Sequence, residues 1–143
     1  MPAAPLDELP AWGLELLRVA RVGRLGLTDD RGAPRVLPVT YALHQSVLWT
    51  AVDDKPKRVA PHELARVRWL RERPAACLCV DRYDDEWEDL AWVQVLGEAE
   101  VLDTDPDGVA TAALAQKYPP YRERPPEGPF LRLVPARTLW WPA

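Results

Sequence analysis

The sequence predicts a mainly β domain in which six antiparallel strands close into a barrel with helices across its ends. Three observations carry this. Several short stretches rich in β-branched and aromatic residues read as strands, the clearest with the period-two alternation of a sheet. Tight turns join the early ones, so those neighbours run antiparallel. Six strands in 143 residues hide their edges most economically by closing on themselves. That length suits one domain, enough to bury a core without staples. Neither a repeat nor a boundary divides residues 1–143.

Residues 1–10 read as a loose arm. Residues 12–22 read as a short helix with Leu14 and Leu17 on an apolar stripe and Arg18 and Arg21 beside it. A strand at 24–28 turns through Asp29-Asp30-Arg31-Gly32 into a returning strand at 35–43. Apart from Arg35 and Thr40 that strand is apolar on both faces, and Pro38 inside it marks an edge, a bulge or a place where backbone meets ligand. His44-Gln45-Ser46 is a second tight turn, and 47–52 the third strand. It runs into a turn bearing Lys55, Lys57 and Arg58 around Pro56. Residues 62–73 read as a helix with Leu64, Val67 and Leu70 on one stripe, ended by Pro74. A short apolar strand follows at 75–80, then an acidic loop at 81–89 that contains Tyr83 and Trp87.

The fifth strand, 91–102, has the clearest alternation: Val93, Val95, Ala99 and Val101 on one face, Trp92, Gln94, Leu96, Glu98 and Glu100 on the other. Asp105 caps a helix with Pro106 at its first position, running to about Lys117. Residues 118–129 form a proline-rich connector, too polar for core. The last strand, 130–134 and 138–141, is interrupted near Pro135.

Charge and composition narrow the chemistry. The net charge of −4 and pI of about 5.2 argue against a general nucleic-acid binder. Positive charge gathers instead at Lys55, Lys57 and Arg58, where guanidinium forks and ammonium point charges suit a phosphate. Residues 1–10 lack the basic and apolar parts of a secretory signal, and no run reaches membrane-spanning length, so a soluble cytoplasmic protein is expected. Cys77 and Cys79, two apart on a strand, read as buried thiols. Ser46 is the single serine and lies outside any nucleophile elbow; the cysteines and two distant histidines, His44 and His62, make a poor zinc set. The acidic loop lacks calcium-loop spacing, and no Walker or dinucleotide glycine fingerprint appears. With so few acid–base side chains, chemistry would reside on a bound cofactor that the protein orients.

Four segments, in order, resemble the FMN-binding split-barrel superfamily typified by pyridoxamine 5′-phosphate oxidase. Arg35, Val36, Leu37 and Pro38 resemble the segment whose backbone and Arg meet the flavin and its phosphate. Trp49 and Thr50, followed by Lys55, Lys57 and Arg58, resemble the strand and basic turn that grip the phosphate. The strand from Gln94 to Glu100 resembles the family's Gln-Val strand, with Gly97 displaced, and 132–141 resembles its Arg-Leu-x-Pro-x-Arg-x-x-x-Trp ending at Trp141. The basic turn, the acidic loop and the Trp140-Trp141 pair are more similar to the actinobacterial branch that uses the deazaflavin coenzyme F420.

The resemblance implies a homodimeric split barrel with a cofactor in each of two grooves between subunits. It implies hydride transfer from reduced F420 to a small acceptor such as a quinone or enone, with no catalytic side chain required. Tyr83 and Trp87 are candidates to cover that acceptor. Past Trp141 the oxidase carries an Arg-x-His segment for its vitamin substrate; here Pro142 and Ala143 follow, which points to another substrate. An FMN-dependent oxidase or flavin reductase of the same fold is the alternative. A carrier that holds a flavin or tetrapyrrole without turning it over is the reading from another class.

Overall fold

A computed structural model describes residues 5–52 and 64–143 of the chain. Among the described residues, seven strands, not six, form one antiparallel sheet: β1 (Gly23–Thr28), β2 (Pro34–Val39), β3 (Ala42–His44), β4 (Val47–Ala51), β5 (Ala75–Arg82), β6 (Ala91–Leu102) and β7 (Phe130–Trp141). The described helices are α1 (Ala11–Val19), α2 (Ala65–Glu72), α3 (Val109–Lys117) and α4 (Pro120–Glu123). The added strand arises because the stretch expected as one returning strand is two. Strand order is β2-β1-β5-β6-β7-β4-β3, so β2 and β3 are the two outer edges of the sheet. Only Thr40 and Tyr41 separate them in sequence. Three peptide steps span at most about 11 Å. The sheet must therefore curl until its edges nearly meet, giving a barrel split between β2 and β3.

The split is held by side chains instead of a ladder. Tyr41 is 1% exposed. Its backbone N–H donates to the Tyr118 hydroxyl at 3.2 Å, its carbonyl accepts from Lys117 Nζ at 3.0 Å, and its hydroxyl donates to the Leu17 carbonyl. Each buried polar group thus finds a partner outside the sheet, which releases this residue from strand pairing.

Two apolar clusters sit on opposite faces of the curled sheet. Inside lie Leu25, Leu78, Val93, Val95 and Leu133, closed at the ends by Leu16 and Leu17 of α1 and Leu70 of α2. Outside β3, β4 and the start of β7, the helices α3 and α4 cover Ala42, Trp49, Ala51 and Phe130. Two expectations give way here. Residues 5–10 are not a loose arm: Leu6 and Leu9 join the inner core, and Thr138 Oγ1 donates to the Pro5 carbonyl at 3.0 Å. The proline-rich connector is not excluded from the core either, since it includes α4 and buries Tyr118 and Tyr121 against α3. In both, a few apolar side chains outweigh the polar average of the segment.

The turns follow the sequence closely. Gln45 and Ser46 both have positive φ, 48° and 65°, as a two-residue hairpin between β3 and β4 requires. The last strand is continuous, with its irregularity opposite Leu96 and Gly97: Arg137 faces Leu96 while Pro135 faces Gly97. Ala136 is the extra residue, so side chains on β7 change face there. Among the described residues no helix is long and apolar enough to cross a membrane.

Candidate functional site

Among the described residues, the helices leave one broad face of the sheet uncovered. It is the outer face of β2, β1, β5, β6 and the end of β7. Directly paired residues share a face, so the register places Pro38, Arg24, Cys79, Gln94 and Leu139 in one cross-strand row. The next row holds Val36, Gly26, Cys77, Leu96 and Arg137. On the other side of the first row lie Asp81, Trp92 and Trp141. Val36 is 66% and Trp141 45% exposed, unusual for large apolar side chains. The bulge at Ala136 is what turns Leu139 and Trp141 outward; without it Trp140 would face out instead.

The electrostatics of this face are mild. Arg24 pairs with Asp81 at 3.1 Å on its surface. Burial raises the Cys77 and Cys79 thiols above the ordinary range, with the neighbouring Cys79 adding at Cys77 and Asp81 adding at Cys79. Both stay protonated at neutral pH and act as small apolar groups, not nucleophiles. Among the described residues no three His, Cys, Asp or Glu side chains are grouped to hold a metal ion. The arrangement suits a flat ring bound by apolar contact and a few polar groups.

The residues singled out from sequence divide by place. Val36, Pro38, Gln94 and Trp141 come together on the uncovered face. Leu37 and Arg35 point to the other side of the same strand, opposite Leu25 and Leu27. There Leu37 packs on the inner core, and Arg35 lies 3.7 Å from Asp29 and 4.9 Å from the centre of the Trp69 ring. Trp49 is buried under α3, with the Arg132 guanidinium 5.5 Å from its ring centre, and Thr50 turns to the inner face beside Leu48. Tyr83 and Trp87, 70% and 74% exposed, lie between β5 and β6, at the end where Trp92 and Trp141 pair. Lys55, Lys57 and Arg58 lie outside the described residues, between the end of β4 and the start of α2. Arg24, Cys79, Trp92 and Leu139 were not singled out, yet they share the face. Alternation within each strand gives their parity, but only the register puts them beside Pro38 and Gln94.

A family model described as pyridoxamine 5′-phosphate oxidase matches residues 13–138. No curated protein matches the chain. Among solved structures, a conserved hypothetical protein from Mycobacterium tuberculosis is similar with a TM-score of 0.75 at 18% identity, over 99% of this chain and 89% of that one. An F420 reductase is similar with a TM-score of 0.65 at 18% identity, over 92% of this chain and 98% of that one. An FAD-binding protein from Mesorhizobium loti gives a TM-score of 0.65 at 22% identity, over 92% and 94%.

Proposed function

The chain belongs to the pyridoxamine 5′-phosphate oxidase family, and from that premise we propose that it is a cytoplasmic oxidoreductase that uses coenzyme F420. The observation that carries the reading is the uncovered sheet face, on which Val36, Pro38, Gln94 and Trp141, four residues picked from sequence, converge. The likeness to an F420 reductase along nearly its whole length supports the choice of deazaflavin.

Val36, Pro38 and Leu139 would form an apolar wall for the ring, and the Gln94 amide would donate to or accept from its polar edge. Trp141 and Trp92 would stack on or shield it. Lys55, Lys57 and Arg58, which the sequence places after β4, would hold the phosphate. When bound, reduced deazaflavin would supply a hydride to a small acceptor such as a quinone or enone. The chain's own part is to orient the ring, keep water from one face of it, and offer Tyr83 and Trp87 as a cover for the acceptor. A second copy of the chain covering the same apolar face would turn it into two closed grooves, so the working unit is a homodimer.

FMN as cofactor is the second reading, favoured by the family description and by the likeness to an FAD-binding protein. Absorbance titrations of the purified protein with F420 and with FMN rank the two. Saturable F420 binding, weakened about tenfold or more by Gln94→Ala and by Lys57→Ala, is expected. Preferential FMN binding sinks the F420 assignment. If neither binds and Lys57→Ala is silent, the site itself is misplaced. Turnover of reduced F420 with quinones or enones separates an enzyme from a carrier.

A further inference from the structure

A concave site lies away from the sheet face. A cavity of about 230 Å³ opens between α1, β3 and α3. Its lining has two characters. Arg18, His44, Gln116 and Lys117 are polar, and three of these four can carry positive charge; Val19 and Leu43 supply apolar wall. No carboxylate lines it among the described residues. Arg18 pairs with Glu15 at 3.6 Å, but both side chains are more than 60% exposed, so that pair is weak and readily exchanged.

Lys117 is the centre of the site. Its Nζ donates to the Tyr41 carbonyl at 3.0 Å and lies 3.8 Å from the Tyr41 ring centre. An ammonium has three donors, of which this bond uses one; the Tyr118 ring centre lies 5.2 Å from the same nitrogen, whose residue lines the cavity. Burial, and then the nearby Arg21 guanidinium, lower the amine to about 8. Arg18 and Arg21 come from α1 and its end, His44 from β3, and the phenols of Tyr41 and Tyr118 are held neutral by burial; the carboxylates nearby are Glu15, beside Arg18, and Asp7, which lines the adjoining cavity that shares Arg18 and Leu43.

We propose that this cavity binds a small organic carboxylate, its head against Arg18, His44 and Lys117 and its short apolar body against Val19 and Leu43. An anion supplies the missing charge, and an Arg fork beside a Lys point charge matches a carboxylate in geometry. Room for a ligand of several carbon atoms distinguishes this from a simple ion site. None of the lining residues belongs to the uncovered sheet face, so the proposal stands apart from the cofactor assignment.

Calorimetric titration of the whole chain with hexanoate tests it, with hexanamide as the uncharged counterpart. Saturable hexanoate binding is expected, with hexanamide about tenfold or more weaker. Lys117→Met should cut hexanoate affinity by about tenfold and leave hexanamide unchanged. Raising the pH from about 7 to about 10 should weaken hexanoate in the natural chain and not in that variant, because the amine loses its charge. Equal binding of acid and amide, no saturation, or an unchanged hexanoate affinity in Lys117→Met overturns the proposal. Should Lys117→Met fail to fold, Arg18→Gln on the exposed face of α1 makes the same comparison, and an unchanged affinity there is equally fatal.

Discussion

Hydrogen is the only side chain that position 97 can carry. A Cβ built on Gly97 would lie 2.0 Å from the Val134 carbonyl oxygen, a backbone atom that cannot step aside without moving β7. The close approach follows from the bulge opposite it. Gly97→Ala should therefore cost about 3 kcal/mol, read as a lower midpoint in urea unfolding; an unchanged midpoint would mean that β7 is free to shift. Sequence showed a glycine inside the clearest strand, but not its reason. Asp29 is the opposite case, since the Asp-Asp-Arg-Gly turn was legible. Its carboxylate accepts from the Ala33 and Arg31 N–H groups at 2.9 and 3.0 Å. Those bonds, the Ala33 one foremost, hold its pKa below the usual range against the opposing effect of burial. Arg35 stands beside this anchored charge and over the Trp69 ring, so its guanidinium is a partner of its own hairpin.

At the scale of elements, α3 illustrates a start signal read correctly in kind and displaced in place. Asp105 and Pro106 announce a helix, and a single 3-10 turn (Pro106–Gly108) intervenes before Val109. The Asp105 carboxylate reaches across it to accept from the Ala110 and Thr111 N–H groups at 2.9 and 2.8 Å. Two of the four orphan donors of the helix are satisfied in this way. Asp105→Ala should lower stability by about 1 kcal/mol, and thermal unfolding followed by circular dichroism reports it; no shift would place the capping role elsewhere. The helix carries Ala113 and Leu114 onto Trp49 and so buries that tryptophan in the second apolar cluster. Strand β6 kept the boundaries and the face assignment that its alternation indicated. The returning strand did not, because Tyr118 and Lys117, some 75 residues away in sequence, satisfy the backbone of Tyr41 and let the chain cross from one edge of the sheet to the other.

For the whole molecule, the uncovered face is the surface on which the proposed function rests. Helices cover the outer face of β3 and β4, while Val36 and Trp141 remain exposed on the opposite half. Val36→Arg places a charge on the edge strand of the proposed subunit contact, at an exposed side chain and without touching the inner core. Sedimentation of the natural chain should give a dimer and that of the variant a monomer; a natural chain that stays monomeric removes the homodimer from the functional reading. The sequence by itself determined the antiparallel, mainly β character, the hairpin turns, the faces of β6 and the family to which the chain belongs, because alternation and turn chemistry are local and the family's motifs keep their order along the chain. Only the tertiary structure decided that one expected strand is two, that Trp49 and Arg35 turn away from the face that Val36, Pro38, Gln94 and Trp141 share, and that Lys117 meets Arg18 around a cavity. The physical reason is register: a strand's side-chain faces are set by its neighbours and by one inserted residue at Ala136, and no local pattern records which distant strand lies alongside.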